Sequence, residues 1–162
     1  MEGDKPTTLV CTVLAIDHTS LCYRVCFVCE RTLPDNDLTS LCKFCNFNTF
    51  NPASSSPSKR LFRVLMSIAS DTKVLRVICF DRAAKVLFGC SADDFFDFAK
   101  LHPFAAVSAN RILEGEMFRM TLSKPKNGNA QHLRVVSVVP LRSGFQPAIE
   151  SLRELYGKRV GC

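Results

Sequence analysis

Two Cys-x-x-Cys pairs constrain this chain more than any other feature of its sequence. Cys26 and Cys29 form the first pair, and Cys42 and Cys45 form the second. Each pair can place two sulfurs on one ion, and four thiolates in a tetrahedral arrangement suit zinc. The turn-rich arm between the pairs is slightly shorter than the commonest spacing, yet it allows the pairs to face each other across a hairpin. The sequence predicts one structural Zn²⁺, with redox or coincidental cysteines as the alternatives.

We interpret the other cysteines as small apolar side chains outside the metal site. Cys22 lies close enough in sequence to compete as a ligand. Nine cysteines in 162 residues could instead indicate disulfides, but the first residues lack the basic start and long apolar core of a secretory signal. We therefore expect a reducing compartment. The five cysteines outside the two pairs are Cys11, Cys22, Cys79, Cys90 and Cys162.

The predicted metal site argues against catalysis. An ion held by four cysteines has no open position for water or substrate, so it stabilises the fold. The sequence also lacks the motifs of zinc deaminases, a phosphate-binding glycine loop and a Gly-x-Ser-x-Gly motif. His18, His102 and His132 lie far apart and show no ligand spacing. We expect no enzymatic activity and no small-molecule substrate.

Charge and hydropathy narrow the class of partner. The formal net charge is +6, and four thiolates with one Zn²⁺ would lower it by two. A mildly basic chain is compatible with a polyanionic partner without requiring one. The longest apolar runs, such as Leu75 to Phe80, are too short to cross a bilayer, so we expect no membrane anchor.

Apolar periodicity outside the cysteine pairs predicts a mainly β domain. Leu61 to Ala69 places Phe62, Val64, Met66 and Ile68 on one side, which is the pattern of a half-buried strand. Asn127-Gly128 is a strong hairpin signal between the last two strands. The order of elements favours a small Greek-key barrel. The predicted strands are Thr8 to Ile16, Leu21 to Val25, Leu61 to Ala69, Lys73 to Phe80, Glu116 to Leu122 and His132 to Val139.

Three helices complete the predicted domain. Asp81 is the expected N-cap of a short helix that ends at Gly89, and Ser91 is the expected N-cap of a second. A third, amphipathic helix covers 146–157. We expect a single domain over 1–162, with a zinc-ribbon insertion at 22–50 and a flexible loop at 51–59.

With these elements in order, the stretch from Leu9 to Tyr156 resembles the C-terminal domain of the replication protein A large subunit. The chain, with its first strand a few residues from the start, also looks like the Noxin-like proteins, which are associated with the DNA-damage response and protection from apoptosis and whose N-terminus resembles the same domain. The resemblance implies a five-stranded OB-fold with a four-cysteine zinc ribbon after its first strand. The matching segments are Tyr23-x-x-Cys26-x-x-Cys29, Cys42-x-x-Cys45, Val77-Ile78-Cys79-Phe80-Asp81, Ala83-Ala84, Leu87-x-Gly89 and Leu133-Arg134-Val135.

The resemblance also implies a function. It predicts a module that binds single-stranded DNA in the nucleus, in replication, repair or the damage response, together with other OB-fold subunits. Arg76 stands where the replication family places a base-stacking aromatic, although a guanidinium can itself stack on bases. The alternatives are that the basic side chains are only solvated and that Phe44 packs the ribbon. The predicted contacts are Lys43, Phe44, Arg63, Arg76, Arg119 and Arg134.

An assembly subunit is the second functional hypothesis. In that case the C-terminal helix docks on partner OB subunits, and DNA binding is weak or absent, as in a Noxin-like damage-response role. The alternative is that this helix plugs one mouth of its own barrel. The predicted partner-binding residues are Ile149, Leu152, Leu155 and Tyr156.

Overall fold

The computed structural model describes residues 5–33, 58–125 and 132–157. The strands are Thr7–Ile16 (β1), Cys22–Cys26 (β2), Ser58–Ala69 (β3), Val74–Phe80 (β4), Met117–Ser123 (β5) and Leu133–Pro140 (β6). The helices are Asp81–Phe88 (α1), Ala92–Leu101 (α2), Ala105–Leu113 (α3) and Ala148–Gly157 (α4). None of the helices in these ranges is long and apolar enough to cross a membrane.

Five of the strands close into a barrel. β1 pairs with both β3 and β5, β5 pairs with β6, β6 with β4, and β4 with β3. Only the β4–β6 pairing is parallel among these. This ring is the Greek-key arrangement of an OB-fold, so the predicted fold class is confirmed. β2 adds a sixth strand along the first part of β3.

Closure depends on the curvature of β1. Its first part, Thr7 to Thr12, pairs with β5, and its second part, Thr12 to Ile16, pairs with β3. The register with β3 shifts between Val13 and Ala15. Such a bulge bends and twists a strand locally, so β1 can pair with β5 along its first part and with β3 along its second part.

The barrel interior follows the predicted alternation of β3. Phe62, Val64, Met66 and Ile68 are all fully or almost fully buried. The ring of Phe62 stacks on that of Phe88 from α1, with centroids 4.7 Å apart. The helix therefore covers one end of the barrel.

The role of Asp81 corrects the sequence prediction. Asp81 is the first residue of α1, and Phe80, still extended at the end of β4, is the N-cap. The carboxylate of Asp81 instead accepts a hydrogen bond from the backbone N–H of Phe62 at 3.0 Å. Asp93 of α2 accepts from Arg60 in the same way at 3.2 Å. These carboxylates satisfy β3 amides that extend past the end of β4.

The sequence predicts α2 but not α3. Ser91 caps α2 as predicted, because its hydroxyl accepts from the N–H of Asp94 at 3.0 Å. No helix is predicted over α3, whose buried positions are Ala105, Ala109 and Leu113. Two of these three are alanines, so the apolar stripe that would indicate a helix is weak.

The C-terminal helix is present, but its apolar stripe is not all exposed. Ile149 and Leu152 are 2% and 0% exposed and belong to the core of this chain. Tyr156 stacks on His102 and contacts the hydroxyl of Ser108 at 3.1 Å. Leu155 is 55% exposed. This corrects the expectation of an exposed stripe: two of the four predicted partner-binding residues pack inside the chain, because α4 packs against α3 and α1.

Two predicted segments lie partly or wholly outside the described residues. The Asn127-Gly128 turn is outside them, although the antiparallel pairing of β5 with β6 is observed. Of the predicted loop 51–59, Ser58 and Lys59 are described, and they form the start of β3 rather than a loop.

Gly89, directly after α1, lies in close contact with Pro147, directly before α4. Its φ is 76°, and an added Cβ would overlap with the ring of Pro147. Gly115 has a similar φ of 88° with open space around it. Gly115→Ala should lower the free energy of unfolding by roughly 1–2 kcal/mol through backbone strain alone, and Gly89→Ala by roughly 1–3 kcal/mol more through the overlap. Urea unfolding followed by circular dichroism measures both. Equal losses would contradict the close contact.

Candidate nucleic-acid interface

Several of the residues predicted to contact nucleic acid lie on the outer surface of β2, β3 and β4. Antiparallel partners share one side of a sheet, so Arg63 lies beside Phe80, and Ser67 lies beside Arg76. Tyr23 pairs with Leu61 in the same way. We call this surface the β2–β4 face. Its residues are Tyr23, Leu61, Arg63, Leu65, Ser67, Arg76, Ile78 and Phe80.

Three predicted arginines lie on or beside this face. Arg63 and Arg76 are exposed. Arg134 of β6 is the register partner of Ile78, and its guanidinium carbon lies 5.4 Å from the centroid of the Phe80 ring. None of the three forms an ion pair within the described parts of the chain.

Aromatic side chains lie among these cations. Phe80 and Tyr23 are half-buried, and Phe27, just after β2, is 49% exposed. Lys59 lies over Phe27 at 5.8 Å and forms an ion pair with Glu30 at 2.5 Å. Tyr23 and Phe80 were not among the predicted contacts. A period of two from Arg76 reaches Phe80 and could have found it.

A negative charge, the carboxylate of Asp17, lies at the end of the face that contains Ser67 and Arg76. It lines a small concavity of about 240 Å³ together with Ser67 and Arg76. Its carboxylate accepts hydrogen bonds from the hydroxyl and the N–H of Thr19, at 2.5 and 3.0 Å. These bonds are the main cause of its lowered pKa, with smaller contributions from His18 and Arg76. The carboxylate stays ionised at neutral pH and opposes an anion at this end.

Arg119 does not belong to this set. It lies on β5, beside Val10 of β1 and Val139 of β6. β5 is not a hydrogen-bonded neighbour of either β3 or β4. Arg119 therefore lies on the opposite side of the barrel from Arg63 and Arg76, and its contact with nucleic acid stays a prediction. The alternation of side chains along β5 indicates that Arg119 points out of the barrel, but it does not indicate on which side of the barrel β5 lies.

The first cysteine pair forms a tight turn directly after β2. The N–H of Val28 donates to Sγ of Cys26 at 3.4 Å, and the N–H of Glu30 donates to the carbonyl of Cys26 at 2.9 Å. Glu30 has a positive φ of 60°. A hydrogen bond to sulfur favours the thiolate, which is the form that binds a metal. The chemistry of this pair fits two ligands of a zinc ion.

Half of the predicted donor set falls within the described residues. Cys42 and Cys45 lie outside the described residues, as do the predicted contacts Lys43 and Phe44. Within the described residues, no three His, Cys, Asp or Glu side chains are grouped to hold a metal. Cys22 packs against the core and is four strand residues from Cys26. At about 3.3 Å per residue, the two are too far apart to share one tetrahedral ion.

Comparisons with known proteins find similar structures but no similar sequences. No protein-family model matches the sequence, and no curated protein matches it in sequence. A chain of a replication protein A heterotrimer bound to ssDNA aligns with 98% of this chain at a TM-score of 0.68 and 17% identity. A chain of yeast RPA bound to ssDNA aligns with 97% at a TM-score of 0.65 and 19% identity. The alignment spans 36% of the first chain and 87% of the second. At these identities the likeness establishes the fold.

Tyr23 offers a direct probe of the β2–β4 face. Its pKa is raised above 10.0, first by burial and then by the charge of Asp81, while Arg63 opposes the shift. The sequence has no Trp and two Tyr, so Tyr156→Phe leaves Tyr23 as the single tyrosine. Its tyrosinate absorbance should then rise with a midpoint above pH 10, and Arg63→Ala should raise that midpoint further. Circular dichroism at each pH serves as the control for unfolding. A midpoint below 10 would contradict the described environment of the hydroxyl.

Proposed function

We propose that this chain is an OB-fold module that binds single-stranded DNA on its β2–β4 face. The proposal rests on two observations. Three arginines form no ion pair within the described residues, and three accessible or half-buried aromatic rings lie on these strands or directly after β2. OB-folds bind oligonucleotides on the corresponding second and third barrel strands. The two similar chains come from complexes with ssDNA, which supports the same use here.

The residues divide into two roles. Arg63, Arg76 and Arg134 would contact phosphates, because a guanidinium presents several donors to an anionic oxygen. Phe80, Tyr23 and Phe27 would stack on bases, at about 1–3 kcal/mol per base. Stacking accepts any base, so we expect little sequence preference. Because Arg134 lies beside Phe80, a phosphate contact and a stacking ring would be neighbours there.

The proposal includes one structural Zn²⁺ held by Cys26, Cys29, Cys42 and Cys45. A filled four-cysteine site supplies a cross-link without an open coordination position. The turn that contains Cys26 and Cys29 continues directly from β2, which carries Tyr23. The ion would therefore fix the end of the strand that extends the binding face. It would have no part in catalysis, and we propose no enzymatic activity.

A second candidate function rests on exposed apolar side chains of the helices. Leu101 and Phe104, at the junction of α2 and α3, are 78% and 72% exposed, and Leu155 of α4 is 55% exposed. Exposed apolar side chains of this size favour docking of a partner protein. In this alternative, the helix layer binds other OB-fold subunits in a replication protein A-like assembly. With either function, we propose a role in DNA replication, repair or the damage response in the nucleus.

A salt-titrated binding experiment tests the primary proposal. Affinity for a fluorescein-labelled oligonucleotide, measured by anisotropy, should fall steeply as salt rises. Arg63→Ala and Arg76→Ala should each weaken binding several-fold for every sequence and reduce the salt slope by about 0.7. Arg153→Ala, on the exposed side of α4, is the matched control and should change neither quantity. No binding at low salt would reject DNA binding and favour the assembly function.

Metal analysis tests the proposed zinc site separately. Purified protein should contain one Zn²⁺ per chain by inductively coupled plasma mass spectrometry. Cys22→Ser should retain the ion because Cys22 packs against the core, whereas Cys29→Ser should lose it because three thiolates remain. Retention in Cys29→Ser, or loss in Cys22→Ser, would overturn the ligand assignment.

A further inference from the structure

The outer surface of β1, β5 and β6 is apolar and lies across the barrel from the β2–β4 face. Val10, Met117, Val139 and Leu141 are 43%, 46%, 48% and 41% exposed. They are contiguous: Val10 and Val139 flank Arg119 on either side, and the N–H of Leu141 donates to the carbonyl of Met117 at 3.2 Å. We call this surface the β1–β5–β6 face. A contiguous exposed apolar surface of this kind marks an interaction site.

Two opposite charges lie at different places on this face. Arg119 is exposed between Val10 and Val139 and forms no ion pair within the described ranges. Past Met117, a concavity of about 520 Å³ is lined by Glu114, Glu116, Met117, Leu141 and Arg142, with Gly115. Glu116 is already paired with Arg142 at 2.5 Å. Glu114 is exposed and, among the described residues, has no such partner.

We propose that the β1–β5–β6 face is the interface of a two-fold symmetric dimer of this chain. In a two-fold interface one surface meets a second copy of itself, so complementary groups must lie on opposite sides of the axis. Arg119 and Glu114 meet this requirement, because they lie on either side of Met117. An axis near Met117 brings Arg119 of each copy to the partner's Glu114. The apolar residues around the axis are then buried.

The charge pattern favours a second copy over nucleic acid on this face. Binding of a single strand requires a basic groove with aromatic rings, whereas the neighbours of Arg119 here are aliphatic. The carboxylates of Glu114 and Glu116 would also repel phosphates. A second copy supplies both an apolar surface and the carboxylate that Arg119 lacks. The dimer leaves both β2–β4 faces pointing outward.

The oligomeric state of the full chain tests the inference. Sedimentation velocity over a concentration series should reveal a reversible monomer–dimer equilibrium. Arg119→Glu and Glu114→Arg should each raise the dissociation constant at least about tenfold, because each places like charges opposite one another. An equimolar mixture of the two variants should recover dimers, since every contact in the mixed dimer is again of opposite sign. Arg153→Glu is the control and should leave the equilibrium unchanged.

Several results would overturn the inference. One is a chain that stays monomeric over the whole concentration series. Another is a mixture of the two charge variants that does not recover dimers. A third is Arg119→Glu that leaves association unchanged but weakens oligonucleotide binding, which would assign Arg119 to nucleic acid. Circular dichroism establishes that each variant is folded. Met117→Asp, at the centre of the face, provides a second disruption that should also abolish dimers.

Discussion

The pairing of β1 with both β3 and β5 is the constraint on which the rest of the structure depends. Without it the other strands would form an open sheet with two unpaired edges. The bulge between Val13 and Ala15 supplies the bend that closes the ring. Closure divides every barrel strand into an inner and an outer row, because successive side chains alternate. It also places β3 and β5 on different sides of β1, and therefore sets the β2–β4 face and the β1–β5–β6 face apart.

The sequence predicted what depends on local pattern and missed what depends on strand order. The inner row of β3 and the closing hairpin are recognisable because apolar alternation reflects burial directly. The separation of Arg119 from Arg63 was not predictable, because both alternate outward and only the ring order tells them apart. Tyr23 joins the candidate site through its register with Leu61, which depends on pairing across a long insertion. For Ile149 the sequence leaves docking on a partner and packing within the chain as alternatives, because amphipathicity does not indicate which surface the apolar side of α4 meets.

The first cysteine pair, Cys26 and Cys29, and the candidate interface are linked through β2. This strand contributes no residue to the closed ring, but it lengthens the outer surface beside β3. The tight turn with Cys26 and Cys29 begins where β2 ends. An isolated edge strand of five residues gains little stability from pairing alone. A metal cross-link at its end would hold Tyr23 and Phe27 in place, so a structural ion can influence binding without touching the ligand.

The opposite placement of the two faces has a consequence for how a dimer would bind DNA. A short oligonucleotide can reach only one β2–β4 face at a time, so dimerisation leaves its affinity unchanged. A strand long enough to pass around both barrels engages two faces, and the second contact becomes intramolecular. Its effective concentration then depends on the length of strand between the two faces. Affinity would thus increase above a threshold length, and this increase would disappear when the like charges of Arg119→Glu and the partner's Glu114 separate the copies.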